Sequence, residues 1–349
     1  MEKTMRDYIE EAPAILQHIF DARLTLLKPI VDKLETLHWQ NIYIVGSGTS
    51  CHAGFAVKRL FEEILDIPVY PMFSNAFIDG RTCTGADSLF IAVSQTGESV
   101  STLNALEAAK ERGNTCLSLV GESDSDLERA AGLSLKIDCG EEKAVAKTKG
   151  YLATIVTLAL LGIELSSRTN MYKELQTVIQ GLPDIITKSV EWAEQVKSEL
   201  LNKEVIQVVS DQHEIASCME GSLKLLETVR IGIAGYELEE FMHGPYNAVN
   251  KGAALIFIGN PASKYHERML KLIDYQEKKT DFQYLISSDS EATTKNCRIA
   301  FSNSRYFSAL EFIIPLQCLA YEVSTAKGIN PSIASDPAFH KNMDSKRLK

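Results

Sequence analysis

The sequence predicts an α/β protein of two doubly wound parallel-sheet domains related by an internal pseudo-repeat, with a helical N-terminal arm and a C-terminal tail. Three observations carry that prediction. Short apolar runs alternate with helical periodicity along the whole chain, as strands buried on both faces and their crossover helices require. The strand–helix plan of the first half returns from Val205 onward. With 349 residues and 45% hydrophobic composition, the chain can fill more than one core. The expected division is an arm over 1–37, a first domain over 38–167, a second over 168–329 and a tail over 330–349.

In the arm, residues 4–37 read as two helices whose apolar positions Ile15, Ile19, Leu24, Leu27, Ile30, Val31 and Leu34 form a buried stripe. Asn41–Val45 is a strand, Gly46-Ser47-Gly48-Thr49-Ser50 a glycine- and hydroxyl-rich turn, and Cys51–Leu65 a helix. The Gly-x-Gly of that turn is half a dinucleotide fingerprint. No third glycine follows and no acidic residue closes the next strand, Val69-Tyr70, so neither NAD nor any other cofactor is expected. The strand Leu89–Val93 runs into Ser94-Gln95-Thr96-Gly97-Glu98-Ser99, and a helix continues to about Arg112. Ser94, Gln95, Thr96 and Ser99 offer donors around one glycine at a helix N-terminus, where free N–H groups and the helix dipole favour an anion. A lone Ser or Thr there would ordinarily only cap the helix. Four donors clustered around Gly97 argue instead for a phosphate cradle.

Strands at 115–120 and 133–137 flank a short helix at 125–131. The loop Gly140–Lys149 is either a wall of the site or a solvated charged loop, and a helix follows over 151–164. The second half brings a helical stretch at 168–200, strands at 205–209, 253–258 and 282–286, and helices at 214–230 and 310–326. Its turns, Ser210–Glu214 and Gly259–Ser263, lack the hydroxyl pattern, so the second half has lost its phosphate loop.

A net charge of −10 excludes nucleic acid and an anionic membrane surface as the main partner. No apolar run approaches the ~20 residues of a membrane span, and the start lacks the apolar core of a signal peptide, so a cytoplasmic protein is expected. Cysteines 51, 83, 116, 139, 218, 297 and 318 are scattered with no Cys-x-x-Cys pair, which fits reduced thiols and offers no metal site. Glu220, Lys224 and Glu227 fall at i, i+4 and i+7 of one helix face. They are either a surface ion-pair ladder or, with His243 ahead of the stiff Gly244-Pro245 turn, a proton-transfer set.

Gly-Ser-Gly-Thr-Ser-Cys-His-Ala-Gly at 46–54, Ser-Gln-Thr-Gly-Glu-Ser at 94–99, Ala-Val-Ala-Lys-Thr-Lys at 144–149, Gly-Ser-Leu-Lys-Leu-Leu-Glu at 221–227 and His-Gly-Pro at 243–245 together resemble the double-SIS-domain phosphosugar isomerases. The resemblance is to the isomerase half of glutamine–fructose-6-phosphate aminotransferase and to fructosamine-6-phosphate deglycases. It covers nearly the whole chain and implies flavodoxin-like domains. It also implies that Ser94, Gln95, Thr96 and Ser99 bind the sugar phosphate, that Ser47 and Thr49 line the sugar, and that Val145 and Lys147 flank the substrate. Glu227 would then move the proton between C1 and C2, Lys224 contact the sugar hydroxyls and His243 assist ring opening. In that family the histidine comes from the partner subunit, which implies a homodimer with shared active sites.

Three departures bear on substrate choice. The chain begins Met1-Glu2-Lys3 and leads directly to the sugar domain where the aminotransferase carries a glutaminase. Lys147 stands where the aminotransferase has a serine. The family's imine-forming tail lysine matches Lys346 with a register off by one, leaving Lys341 open. The expectation is an enzyme acting on amino-linked hexose 6-phosphates, a deglycase or deaminase. A simple aldose–ketose isomerase and a non-catalytic sugar-phosphate-binding module are the alternatives, the latter needing the cradle but no base.

Overall fold

The computed structural model describes residues 3–80, 87–289 and 296–347. Two helices open the chain, α1 (Met5–Asp21) and α2 (Arg23–Leu34). Then come β1 (Asn41–Gly46), α3 (Thr49–Leu65), β2 (Val69–Phe73), α4 (Ser74–Asp79), β3 (Ser88–Ser94), α5 (Val100–Glu111), β4 (Thr115–Val120), α6 (Asp126–Ala131), β5 (Ser134–Lys136) and α7 (Lys149–Ser166). The apolar runs became central strands: β1 and β3 are buried along their whole length and pair in parallel, Ile42 opposite Leu89 and Val45 opposite Ala92. After α8 (Met171–Leu200) the pattern returns with β6 (Val205–Ser210), α9 (Ile215–Val229), β7 (Gly232–Glu237), α10 (Leu238–Met242), β8 (Ala253–Ile258), α11 (His266–Gln276), β9 (Gln283–Ser287), β10 (Cys297–Arg298) and α12 (Ala309–Ala326). A short α13 (Phe339–Asn342) lies in the tail.

Both sheets are five-stranded and parallel, ordered β2-β1-β3-β4-β5 and β10-β9-β8-β6-β7. Numbered within its own half, each reads 2-1-3-4-5, so the pseudo-repeat is a repeat of topology. In this order the chain winds away in opposite directions from the first and third strands, and ligands bind in the crevice beyond their carboxyl ends. The two crevices lie at β1/β3 and at β6/β8.

The chain divides into two compact units. One gathers Ala14–Glu142, Lys149–Gln176 and the tail from Ala334 around the first sheet. The other gathers the residues up to Pro13, Lys143–Thr148 and Thr177–Ile333 around the second. In the first-sheet unit, the Phe77 ring of α4 meets Tyr43 edge-on at 5.2 Å and lies tilted 4.6 Å from Phe90, and α5 adds Leu103 and Leu106 to the same core. Helix α7 is apolar and long enough to pass for a membrane span, and 83% of it is buried inside the fold. In the second-sheet unit Val209, Leu255, Phe257 and Leu285 pack against Leu238 and Phe241 of α10 and Met269 of α11. The six described cysteines are buried thiols, and Cys83 lies outside the described residues.

The arm differs from the expected stripe. Leu24 is 60% exposed, whereas Leu16, Ile19 and Phe20 of α1 and Leu27, Ile30 and Leu34 of α2 are buried. The helix breaks at Ala22, so the apolar phase restarts instead of running through. Elements α4, β7, α10, α11, β10 and α13 were not expected, being short, glycine-bearing or mostly polar.

At the start of α12 burial pushes the Glu311 carboxyl up to about 7, against the two hydrogen bonds it accepts from Ser302, with Glu214 nearby adding to the rise. A carboxyl that holds its proton more tightly when folded makes stability fall as pH rises from the ordinary value near 4.5 to about 7. Thermal unfolding at about pH 5 and about pH 8 should therefore show a larger loss for wild type than for Glu311→Gln. Equal losses would place the titrating group elsewhere.

Candidate active site

The β1–α3 and β3–α5 loops both emerge at the first sheet's crevice. Gly97 can only be glycine: its φ is +67°, and a Cβ there would meet the Ser125 hydroxyl at 2.1 Å. The loop is held from both sides. Gly97 N–H donates to the Ser94 hydroxyl (3.1 Å), the Gln95 carbonyl accepts from Gly121 (2.9 Å) and Glu122 (3.1 Å), and the Gly97 carbonyl accepts from Leu127 (3.0 Å). The Gln95 side chain is turned onto Cys139 Sγ at 3.0 Å, and the Thr96 hydroxyl accepts from Glu98 N–H at 3.4 Å.

Beyond the loop, five hydroxyls close a ring. Ser47 meets Ser101 (3.1 Å) and Ser74 (3.4 Å), Ser74 meets Thr102 (3.4 Å), Thr102 donates to Ser99 (3.1 Å), and Ser99 meets Ser101 (3.3 Å). The ring sits at the N-terminus of the 12-residue α5. Ser99 is the N-cap by position, yet its side chain makes no capping bond. Capping therefore does not account for it, and the hydroxyls and the helix end can serve an oxyanion. Thr49 stands in the first turn of α3, half-buried.

In the second-sheet unit, α9 carries the acid–base candidates. Glu220 and Lys224 are no surface ladder: their side chains are 0% and 1% exposed, with Nζ 3.2 Å from Glu220 Oε1 and in contact with Glu227 Oε1. Burial works against the Lys224 ammonium, but Glu220 and Glu227 outweigh it and hold its pKa above the ordinary lysine value. Lys224 thus stays charged and fixes a carboxylate on either side. Glu227 alone of the three remains partly open, its side chain 27% exposed.

A family model for the SIS domain matches residues 37–163, the span of the first sheet and its loops. A Clostridium difficile protein, solved as a candidate phosphosugar isomerase, is 31% identical with a TM-score of 0.91, each chain covered in full. The chain belongs to the SIS-domain family of phosphosugar isomerases. A Salmonella typhimurium protein, solved as a candidate sugar-binding protein, is 28% identical over 90% of this chain and 98% of its own, with a TM-score of 0.80. Mouse glutamine–fructose-6-phosphate aminotransferase [isomerizing] 2 is 26% identical over 322 residues, 88% of this chain and 47% of that protein. The chain spans about half the length of the curated relatives it matches.

The remaining candidates of this SIS protein are placed as follows. Lys346 pairs backbone to backbone with Ser99, while Lys341 lies exposed on α13. His243 is exposed at the end of α10, its N–H on the Glu240 carbonyl at 3.1 Å. Val145 is 48% exposed with its N–H on the Ser332 carbonyl (3.3 Å), and Lys147 is half-buried in the same loop. The structure thus gathers Ser47, Ser94, Gln95, Thr96, Ser99 and Lys346 in the first-sheet unit, and Lys224 and Glu227 on α9 of the second. Sequence reasoning left Ser74, Ser101 and Thr102 out of the site. Ser101 and Thr102 stood two and three residues beyond the quoted motif and could have been read as its continuation. Ser74 opens the short α4, directly after the edge strand β2, and gave no signal.

Charge-assisted hydrogen bonds contribute about 1.5–3 kcal/mol each. Ser94→Ala combined with Ser99→Ala should therefore weaken a hexose 6-phosphate by at least tens of fold in titration calorimetry. Unchanged affinity would mean that the cradle lies elsewhere.

Proposed function

We propose that this chain moves a proton between C1 and C2 of a hexose 6-phosphate, and that its substrate carries an amine, making it a fructosamine-6-phosphate deglycase or deaminase. The observation that carries the reading is the state of Glu227: a carboxylate held by a buried, charged lysine yet left open on one side. A protein that only bound sugar phosphates would need the hydroxyl ring and no such group. With the phosphate on Ser94, Gln95, Thr96, Ser99 and the α5 N-terminus, Glu227 removes a C1 proton from the open-chain ketose. The same carboxyl returns it to C2: with oxygen on both carbons the intermediate is an enediol, whereas an amine on C1 makes it an enaminol, and protonation at C2 then leaves a C1 imine that water cleaves to an aldose 6-phosphate and the free amine. Lys224 orients Glu227 and stabilises its charge.

The amine is the finer part of the proposal. The mouse relative's name couples fructose 6-phosphate with amino transfer, and Lys147 adds a cation suited to a carboxylate on the departing amine. Lys346 would attack the open-chain carbonyl, losing water to form an imine, which fits its pairing with Ser99 better than the position of Lys341 does. His243, exposed at the end of α10, would serve ring opening and be offered to a second copy in a homodimer. Incubation with hexose, hexosamine and fructosamine 6-phosphates, with products identified by mass spectrometry, separates the possibilities. Release of an amine supports the proposal, and simple interconversion of fructose and aldose 6-phosphates would favour the isomerase reading.

Glu227→Gln keeps the shape and removes the base. Calorimetric affinity for fructose 6-phosphate should stay within about threefold, while exchange of the C1 proton with deuterated water, followed by NMR, should fall by about 10²-fold or more. Wild-type exchange in the variant would sink the assignment.

A further inference from the structure

The last described residues form a strap across the cradle loop. Val100 N–H donates to the Ser345 carbonyl (3.2 Å), Arg347 N–H donates to the Glu98 carbonyl (3.0 Å), and Ser99 and Lys346 are antiparallel partners between them. In that pattern the paired residues share no hydrogen bond with each other. Such pairs are the close ones, about 4.5 Å between Cα atoms, with side chains on the same face. Lys346 therefore leaves the strap on the face of Ser99, whose hydroxyl belongs to the five-membered ring. Arg347 leaves on the opposite face, where its guanidinium meets Asp126 Oδ2 at 2.9 Å. Asp126 N–H in turn donates to Glu98 Oε1 at 3.4 Å.

A slip of one residue would exchange the two faces, bringing Arg347 to the ring and Lys346 to Asp126. Both residues are cations, so attraction to the acidic side alone would not choose between the registers. Two backbone bonds are a weak ladder. We propose that Asp126 and Arg347 form a latch that fixes the strap's register and so makes Arg347 a positioning residue for Lys346. The proposal rests on the reading of Lys346 given above. A guanidinium is more weakly hydrated than an ammonium and gives up less water in pairing with Asp126, which favours Arg347 over Lys346 as the partner. The hydrogen bond from Arg347, with that from Arg129, holds Asp126 below the usual carboxylate range, so the latch is charged at neutral pH. At the other end of the strap, His340 Nδ1 lies 2.8 Å from the Ser345 hydroxyl and the His340 carbonyl accepts from Ser345 N–H at 3.2 Å, fixing where pairing begins.

The test uses the full chain and the variants Arg347→Gln, Arg347→Lys, Asp126→Asn and the Asp126→Asn/Arg347→Gln double. Hydrogen exchange at the Val100 amide reads strap pairing. Borohydride trapping with fructose 6-phosphate, followed by peptide mapping, reads the approach of Lys346. Each single loss should speed Val100 exchange and slow Lys346 labelling by about three- to fivefold, the effect of one exposed ion pair. The double should be no worse than the worse single, Arg347→Lys should recover part of the loss, and affinity for inorganic phosphate should stay within about twofold. Wild-type exchange and labelling in both singles, or multiplying effects in the double, would overturn the latch. If the wild-type chain takes no label at Lys346, the reading of that lysine falls, and Val100 exchange still decides whether the latch holds the strap.

Discussion

The site depends on the parallel pairing of β1 with β3. Their register ends both strands level, with Val45 opposite Ala92, so the loops beginning at Ser47 and Ser94 emerge side by side where the winding of the sheet reverses. Without that juxtaposition, Ser47 could not meet Ser101, and the hydroxyl ring would be an open string of serines. The ring supplies neutral donors and α5 supplies the positive end of its dipole, so an anion can be held by a chain of net charge −10 without a basic loop. The second sheet repeats the topology and not the chemistry. Its crevice holds Asp211, His213, Glu214 and Asn260, with Glu214 accepting from Asn260 Nδ2 at 3.1 Å and from Ser217 at 3.2 Å. Asp211 and Glu214 put two acidic side chains in that crevice, which makes it hostile to phosphate.

The second constraint is the charge balance on α9. One buried ammonium between two carboxylates leaves one negative charge over, and the exposed side of Glu227 is where it can be met by solvent or substrate. Removing one partner of such a buried group costs about 3–5 kcal/mol, so the trio is a structural commitment as well as a chemical one.

The central strands and the two hydroxyl turns were legible because burial on both faces writes itself as continuous apolar sequence, in Ile42–Val45 and Leu89–Val93. The ion trio was legible as a spacing, but its burial was not. Helical periodicity places Glu220, Lys224 and Glu227 on one face without saying whether water or protein covers it. Strand β7 was hidden by its own packing: a Cβ on Gly235 would meet the Ser222 hydroxyl at 2.7 Å and the Cys218 carbonyl at 3.0 Å, so close approach to α9 requires the residue that makes the segment read as a loop. The strap escaped for a different reason. Its pairing is made by backbone atoms of Ser345 and Arg347, and the side-chain pattern of a polar tail carries no trace of it. The hydroxyl ring lay half in view, since Ser74 joins from the start of α4, which no motif marks.

The central claim is that the β1/β3 crevice, and not its counterpart in the second sheet, receives the phosphosugar. Amide hydrogen exchange of the full chain with and without saturating fructose 6-phosphate tests it directly. Protection should concentrate at residues 46–50 and 94–102, the two loops and the first turn of α5. Protection falling instead at 210–214 and 259–263, with 94–102 unchanged, would contradict it.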